Sequence, residues 1–154
     1  MVDIATVVTE RSPRARRRPR QDLSGIRGKI LELLVTTGQP VSAYWLIEEL
    51  RSQGTSVVPP TVYRALNFLR RSGLAHRVES LNAFVACAHP GPDHQEQFLI
   101  CSECGFAEEL SDTTISELLH SKATGQGFHP EQQIVEISGI CRTCAAGKPL
   151  HDAE

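Results

Sequence analysis

Residues 76–109 read HRVESLNAFVACAHPGPDHQEQFLICSECGFAEE and join two halves of the chain that carry opposite charge. Residues 1–77 contain 13 Lys and Arg against 6 Asp and Glu, whereas residues 78–154 contain 3 against 12. A chain of 154 residues can hold two small domains, and this division of charge favours two over one. The basic half is typical of a domain that binds a polyanion, most commonly nucleic acid.

Four of the five cysteines form two Cys-x2-Cys pairs, Cys101 with Cys104 and Cys141 with Cys144, separated by 36 residues. A two-residue gap lets both sulfurs of a pair reach one ion at ~2.3 Å, and four thiolates complete a tetrahedral zinc site. A redox pair or a disulfide is the alternative. We expect zinc because the chain shows no secretion signal and the spacing occurs twice.

The fifth cysteine, Cys87, is left over, and side chains of other ligand types lie near it in the sequence: His76, His89, His94, Glu96, Glu108 and Glu109. Mixed N, O and S ligands suit a second Zn(II) site of lower affinity, which can be emptied and refilled. An equally open alternative is that Cys87 is a small buried hydrophobic residue at the end of a strand and that the histidines lie in surface loops.

Apolar periodicity predicts three short helices in the basic half. The first covers residues 23–37 with Asp22 as its N-cap, and the second follows Ser42 and ends at Gly54. The core face of the second helix is predicted to contain Leu46, Ile47, Leu50 and Trp45.

The third predicted helix starts at Pro59 and ends at Gly73, and it has an apolar face and a polar, basic face. Three short helices of this kind are typical of a helix-turn-helix core, although a basic face can also be merely solvated. If this helix enters a DNA groove, the candidate contacts are Tyr44, Thr61, Tyr63, Arg64, Asn67 and Arg70.

Two β-rich runs, residues 74–78 and 83–87, flank a polar turn and predict a hairpin. A hairpin directly after the third helix makes the N-terminal domain a winged helix-turn-helix. The predicted fold class is α+β, with this domain followed by a small C-terminal α/β dimerisation domain.

The C-terminal domain is predicted to contain strands at residues 97–100, 106–110 and 133–138. A helix at residues 113–124 should lie on this sheet, with Ile115, Leu118 and Leu119 on its apolar side. So few strands expose an edge, and we therefore expect the domain to pair with a second copy.

The predicted organisation of the whole chain comprises five segments. They are a disordered basic arm (1–21), the winged-helix domain (22–87), a hinge loop (88–96), the zinc-binding dimerisation domain (97–145) and a tail (146–154). No apolar run approaches the ~20 residues of a membrane span, so we expect a cytoplasmic chain without a membrane partner.

Four motifs make the sequence resemble the ferric uptake regulator family of metal-sensing repressors, and most of all its zinc uptake regulator branch. They are residues 60–66 (PTVYRAL), 76–80 (HRVES), 98–104 (FLICSEC) and 139–144 (GICRTC). The resemblance covers roughly residues 22–145.

The resemblance implies a repressor of zinc uptake genes that binds double-stranded DNA at a palindromic operator as a homodimer, without a small-molecule substrate. It also implies two zinc ions per chain. One is a structural zinc at the four paired cysteines, and the other is a regulatory zinc held by His76, Cys87, His94 and Glu109.

Three alternatives stay open at this point. An iron- or peroxide-responsive member of the same family is disfavoured, because the histidine-rich loop is reduced to DHQE at 93–96 and Gln133 stands where some members carry a histidine. A zinc hydrolase would use His76, His94 and Cys87 as ligands with Glu108 or Glu109 as general base. A constitutive DNA-binding protein would hold structural zinc alone.

Overall fold

The computed structural model describes residues 23–90 and 96–147. The predicted arm and hinge-loop residues 91–95 lie outside this range, as does the tail beyond residue 147. Three helices form the first core: α1 (Ile26–Thr37), α2 (Ala43–Ser52) and α3 (Pro59–Arg71). Their buried faces include Ile30, Leu34, Leu46, Leu50, Val62, Leu66 and Leu69.

The start of α2 follows the prediction, because the Ser42 hydroxyl accepts a hydrogen bond from the Trp45 backbone N–H at 3.0 Å. The start of α1 does not. The helix begins at Ile26 after Gly25, which has a φ of 68° and provides no side-chain cap. This positive φ, which glycine adopts readily, is not helical, and the helix therefore starts three residues later than expected. Asp22, the predicted cap, lies outside the described residues.

The prediction that Trp45 belongs to the core face of α2 is wrong. Trp45 is 38% exposed, whereas Leu46, Ile47 and Leu50 are buried. Adjacent residues on a helix lie about 100° apart, so Trp45 sits beside the buried stripe formed by its neighbours. The core of the first domain is therefore aliphatic on this side.

A hairpin, which we call the wing, follows α3 and separates two cores. It consists of β1 (Ala75–Val78) and β2 (Ala83–Ala86), which pair antiparallel, and the turn between them. Because side chains alternate along a strand, Phe84 joins the helical core, whereas Val78 and Val85 face the other way. These two valines pack on Phe98, Ile100 and Ala107 of the second domain. The predicted winged helix-turn-helix is confirmed.

The second domain contains a three-stranded sheet in the order β4-β3-β5, with β3 in the centre. β3 (Glu96–Cys101) pairs antiparallel with β4 (Ala107–Glu109) and parallel with β5 (Ile134–Gly139). The crossover between β4 and β5 contains α4 (Thr113–Gly125), and a short helix, α5 (Arg142–Ala145), follows β5. Glu96, expected in the hinge loop, is the first residue of β3.

The apolar side chains of α4 differ from expectation, because Leu118 is 58% and Leu119 is 44% exposed, while the buried side chain of this helix is Ser116. The hydroxyl of Ser116 is hydrogen-bonded to Gln97 Nε2 at 2.5 Å. Among residues 23–90 and 96–147, neither leucine joins a buried core, and Phe128, Ile137 and Ile140 are exposed as well. Exposed apolar surface of this extent is typical of a protein–protein interface. Within residues 23–90 and 96–147, no helix is both long and apolar enough to cross a membrane.

Candidate metal centres

The parallel pairing of β3 and β5 brings the two cysteine pairs together. Cys101 ends β3 and lies opposite Gly139, which ends β5 two residues before Cys141. The Ser102 N–H donates to the Gly139 carbonyl at 2.8 Å and locks the two strand ends together. As a result, the four sulfurs of Cys101, Cys104, Cys141 and Cys144 lie within 4.8 Å of one another. We call this group the four-cysteine cluster.

The spacing of the sulfurs in this cluster matches a tetrahedral zinc site. Four sulfurs that each lie about 2.3 Å from one zinc ion are about 3.8 Å apart. Cys104 Sγ and Cys141 Sγ are separated by 3.9 Å. None of the four cysteines forms a disulfide. The disulfide alternative is therefore not realised in this structure.

The protonation of the cluster also favours a cation. Backbone N–H groups of Cys141 and Cys104 that donate to Cys101 Sγ lower the pKa of Cys101 to about 6, although burial opposes them. Burial and hydrogen bonds with the neighbouring thiols raise the pKa of Cys144 to about 12. One thiolate thus forms readily, but its charge disfavours a second. A divalent ion removes this conflict by binding all four sulfurs as thiolates.

Three other ligand residues converge from separate elements in what we call the mixed cluster. His76 lies in β1, Cys87 directly follows β2 and Glu109 ends β4, and their ligand atoms also lie within 4.8 Å of one another. Glu109 Oε1 is 3.3 Å from His76 Nε2 and 3.7 Å from Cys87 Sγ. Around a tetrahedral zinc these N···O and S···O separations would be about 3.3 and 3.6 Å. The three residues therefore fit the ion.

Strand geometry decides which of the two adjacent glutamates joins the mixed cluster. Side chains alternate along β4, so Glu108 is exposed and Glu109 points inward. The second carboxylate oxygen of Glu109 accepts the Ala88 N–H at 2.7 Å, which orients the first toward His76 and Cys87. Burial alone would raise the pKa of Glu109, but its hydrogen bonds with His76 and Ala88 lower it.

His76 is held by carboxylates at both ring nitrogens. Its Nδ1 is 3.4 Å from Glu96 Oε1, its Nε2 faces Glu109, and its ring meets Phe98 edge-on at 5.6 Å. Burial would lower the pKa of His76, but hydrogen bonds with Cys87, Glu109 and Glu96 raise it to about 11. In the absence of metal these contacts favour the cationic imidazolium, with both ring nitrogens protonated, and a metal ion would replace the proton on the nitrogen that it binds.

The remaining candidates near Cys87 are placed differently. His89 and Glu108 are exposed and do not belong to the mixed cluster. His94, the fourth predicted ligand of the regulatory site, lies outside the described residues. Among the described residues, Glu96 is the additional carboxylate that contacts His76.

Comparison with known proteins agrees with this fold. The profile of the ferric uptake regulator family matches residues 22–138. The chain belongs to this family. It is 35% identical over 119 residues to the zinc uptake regulation protein of Escherichia coli (strain K12), covering 77% of this chain and 70% of the relative.

Two solved structures of relatives superpose on most of this family member. Holo XcZur is 45% identical with a TM-score of 0.75, covering 80% of this chain and 86% of the relative. A zinc uptake regulator complexed with zinc and DNA is 34% identical with a TM-score of 0.77, covering 81% and 84% respectively.

Most of the predicted DNA contacts of this family member lie on the surface of the winged-helix domain. Tyr44 is 71% and Tyr63 is 50% exposed, and Arg64 and Asn67 are exposed on the same polar face of α3. Thr61 and Arg70 are half-buried. The hydrogen bond with His76 lowers the pKa of Glu96 although burial opposes it, and the nearby charges of His76 and Arg70 lower this pKa further.

Two glutamates make contacts between the domains that the sequence does not predict. The sequence indicates Glu96 only as one of several candidate ligands near Cys87, and it places Glu136 in a strand without a function. Glu136 accepts hydrogen bonds from the Glu79 and Ser80 N–H groups. Neither contact has a local sequence signal, because the partners are distant along the chain.

Proposed function

We propose that this family member is a zinc-responsive, DNA-binding transcriptional repressor that controls zinc uptake genes. The observation that carries the proposal is the mixed cluster, whose spacing suits zinc and whose ligands come from both domains. The family comprises transcription regulators, which favours a regulatory role for these ligands over the zinc hydrolase alternative. A repressor that binds chromosomal DNA acts in the cytoplasm, and the proposal therefore includes a cytoplasmic location.

Two zinc ions per chain have separate tasks in this proposal. The four-cysteine cluster holds a structural zinc, and His76, Cys87 and Glu109 hold a regulatory zinc together with His94. When bound, the regulatory ion supplies two positive charges that offset the thiolate and the carboxylate. A set that includes a thiolate selects zinc over harder cations such as magnesium and manganese, whereas a four-thiolate site keeps zinc more firmly.

The regulatory site connects zinc to DNA because its ligands span the domain boundary. His76 and Cys87 belong to the wing, and Glu109 belongs to the second sheet. Occupation of the site fixes the winged-helix domain relative to the second domain. Withdrawal of zinc leaves only contacts that need no metal to restrain the wing, and the apolar packing of Val78 and Val85 on Phe98 is one of them. The orientation of α3 thereby follows the zinc concentration.

Members of this family are DNA-binding dimers. In a dimer, the affinity for an operator depends on the relative orientation of the two winged-helix domains. The exposed side chains of Leu118, Leu119, Phe128 and Ile137 provide apolar surface for the second copy. Two α3 helices of a symmetric dimer must enter major grooves about 34 Å apart, or a multiple of that distance, which implies a palindromic operator. A fixed domain angle meets this spacing, and a variable angle does not.

The direct test is the binding of operator DNA by the wild type as free zinc is varied with a metal buffer. The operator can be obtained by selection from genomic fragments with the zinc-loaded protein. We expect binding to rise with occupation of the second zinc site. Binding that is equally strong with one zinc per chain would favour the constitutive alternative and contradict the proposal.

Substitution of Arg64 by alanine should weaken specific DNA binding by about 1–3 kcal/mol, because a bidentate contact to a guanine edge would be lost. Arg64→Lys is a second test variant that separates charge from geometry, since lysine keeps the charge but not the planar fork. Both variants should lose preference at one base position in a set of single-base operator variants. If Arg64→Lys binds like the wild type, Arg64 contacts phosphate and does not read a base.

Substitution of Glu96 by glutamine should reduce the zinc affinity of the second site by about 10- to 100-fold, because Glu96 orients the imidazole of His76 through Nδ1. Glu108→Gln is the matched control, as this exposed glutamate lies in the same domain outside the cluster. Competition with a chromophoric chelator measures the affinity of each site. Equal affinities in the two variants would show that Glu96 does not orient the ligand.

A further inference from the structure

Glu136 forms a contact between the two domains, and this contact lies outside the four-cysteine cluster and outside the mixed cluster. This residue is in β5, at the edge of the second sheet. One of its carboxylate oxygens accepts the Glu79 N–H at 2.6 Å, and the other accepts the Ser80 N–H at 3.0 Å. Both donors belong to the turn of the wing, 57 and 56 residues earlier in the chain.

The turn of the wing presents these two N–H groups because of its own geometry. The β1–β2 ladder ends at the Val78–Ala83 pair, so it offers no cross-strand acceptor to the next two residues. The turn is closed by the Asn82 N–H, which donates to the Glu79 carbonyl at 3.1 Å, and Asn82 adopts a φ of 47°. Successive backbone N–H groups in such a turn form a concave site for an anion. Glu136 supplies that anion from the other domain.

We propose that Glu136 is a positioning residue that fastens the wing to the second sheet without metal and thereby sets how much zinc is needed to fix the DNA-binding domain. The inference rests on the proposed zinc-dependent orientation of the winged-helix domain. Its contact is distinct from the zinc ligands, because the hydrogen bonds of its carboxylate within the described part of the chain go to backbone groups of the wing turn.

The position of Glu136 complements that of the mixed cluster. Glu109 lies in β4 at one edge of the sheet, Glu136 lies in β5 at the other, and β3 separates them. Along the wing, His76 and Glu79 are three residues apart, which is about 10 Å in an extended strand. One point of attachment leaves the wing able to rotate about it. Two separated points, with Val78 packed on Phe98 between them, restrict that rotation.

Linkage determines what this second attachment does to the zinc response. The contact stabilises the arrangement in which the zinc ligands meet. The free-energy cost of ordering the domains on zinc binding is therefore smaller, and the apparent zinc affinity is higher. Bonds from backbone N–H groups to a carboxylate are among the stronger hydrogen bonds, although solvent weakens them at an exposed site. We expect loss of this contact to raise the free zinc needed for half-maximal operator binding by about tenfold.

The contact itself can be tested without DNA and without any assumption about regulation. In NMR spectra of the zinc-loaded wild-type dimer, the amides of Glu79 and Ser80 should exchange slowly with solvent. In Glu136→Gln, which retains one acceptor oxygen at most, exchange at one or both should accelerate by about tenfold. Glu131→Gln, which removes a charge five residues earlier, is the matched control. Unchanged exchange in Glu136→Gln would overturn the proposal.

The functional test compares the zinc midpoint of operator binding in the wild type, Glu136→Gln and Glu131→Gln. The expected result is a midpoint about tenfold higher for Glu136→Gln alone, with DNA affinity at saturating zinc within about threefold of the wild type. An equal midpoint in all three proteins would refute the positioning role. If the wild type itself shows no zinc dependence, the proposed function fails instead, and the exchange experiment still reports on the contact.

Should Glu136→Gln fail to form a dimer, Glu136→Asp provides the same test. Aspartate keeps the charge in β5 but is one methylene shorter, so it cannot span both turn amides in this backbone arrangement. The proposal requires faster exchange at Glu79 or Ser80 and a higher zinc midpoint in this variant too. Wild-type values of both quantities in Glu136→Asp would overturn it.

Discussion

Cys141→Ser is expected to unfold the second domain and abolish the dimer. The four sulfurs meet only because β3 and β5 run parallel, and the Cys141 N–H also donates to Cys101 Sγ at 3.3 Å. Structural zinc contributes about 10–16 kcal/mol of folding free energy in small zinc modules. That contribution is comparable to the whole stability of a domain, which is about 5–15 kcal/mol. The described part of the domain has little apolar core to replace it, since its buried cluster comprises only Phe98, Ile100 and Ala107 together with two valines of the wing.

Circular dichroism, analytical ultracentrifugation and zinc counting on purified protein would measure this effect. Cys87→Ser is the matched control, because it removes one thiol from the same chain and leaves the four-cysteine cluster intact. The control should remain a folded dimer with one tightly bound zinc per chain. A Cys141→Ser protein that stays dimeric with an unchanged melting temperature would disprove the structural role of the cluster.

The four-cysteine cluster was predictable from the sequence because each pair is local. Two residues separate the thiols within a pair, and only the meeting of the pairs depends on the fold. The helix-turn-helix core was predictable for a related reason, since the buried residues Val62, Leu66 and Leu69 recur with helical spacing in α3. In both cases the signal lies within one element.

The mixed cluster was not predictable from spacing alone, because β1, the end of β2 and β4 supply one ligand each. Spacing near Cys87 left a buried hydrophobic residue and a metal ligand equally open, and only the family resemblance selected His76, Cys87 and Glu109. The leucines of α4 show a different limit. Their periodicity predicts burial against the sheet, yet Leu118 and Leu119 are exposed, because periodicity identifies an apolar face without identifying what covers it. The partner of Glu136 is backbone, which leaves no residue type to recognise.

Cys87→Ser is expected to remove the response of DNA binding to zinc while leaving the fold intact. The thiol is buried, with its Sγ 3.7 Å from Glu109 Oε1, and serine is of similar size. A serine hydroxyl is a poor zinc ligand at neutral pH, whereas the thiolate is a strong one. The regulatory site would therefore lose much of its affinity. We expect one zinc per chain in this variant and about two in the wild type.

The size of the lost response follows from linkage between zinc and the domain orientation. A coupling of about 1–3 kcal/mol is typical of allosteric proteins, whereas moving a two-state hinge from 1:99 to 99:1 needs about 5.5 kcal/mol of differential affinity. The mixed cluster can supply a difference of this order, because separation of the wing from the second sheet would take His76 and Cys87 away from Glu109 together.

Operator affinity of Cys87→Ser should thus stay at the zinc-free level of the wild type across buffered zinc. His89→Ala, which alters an exposed histidine two residues away, should respond like the wild type. Parallel zinc dependence in Cys87→Ser and the wild type would exclude this cluster as the sensor, and would leave the four-cysteine cluster as the origin of any zinc response.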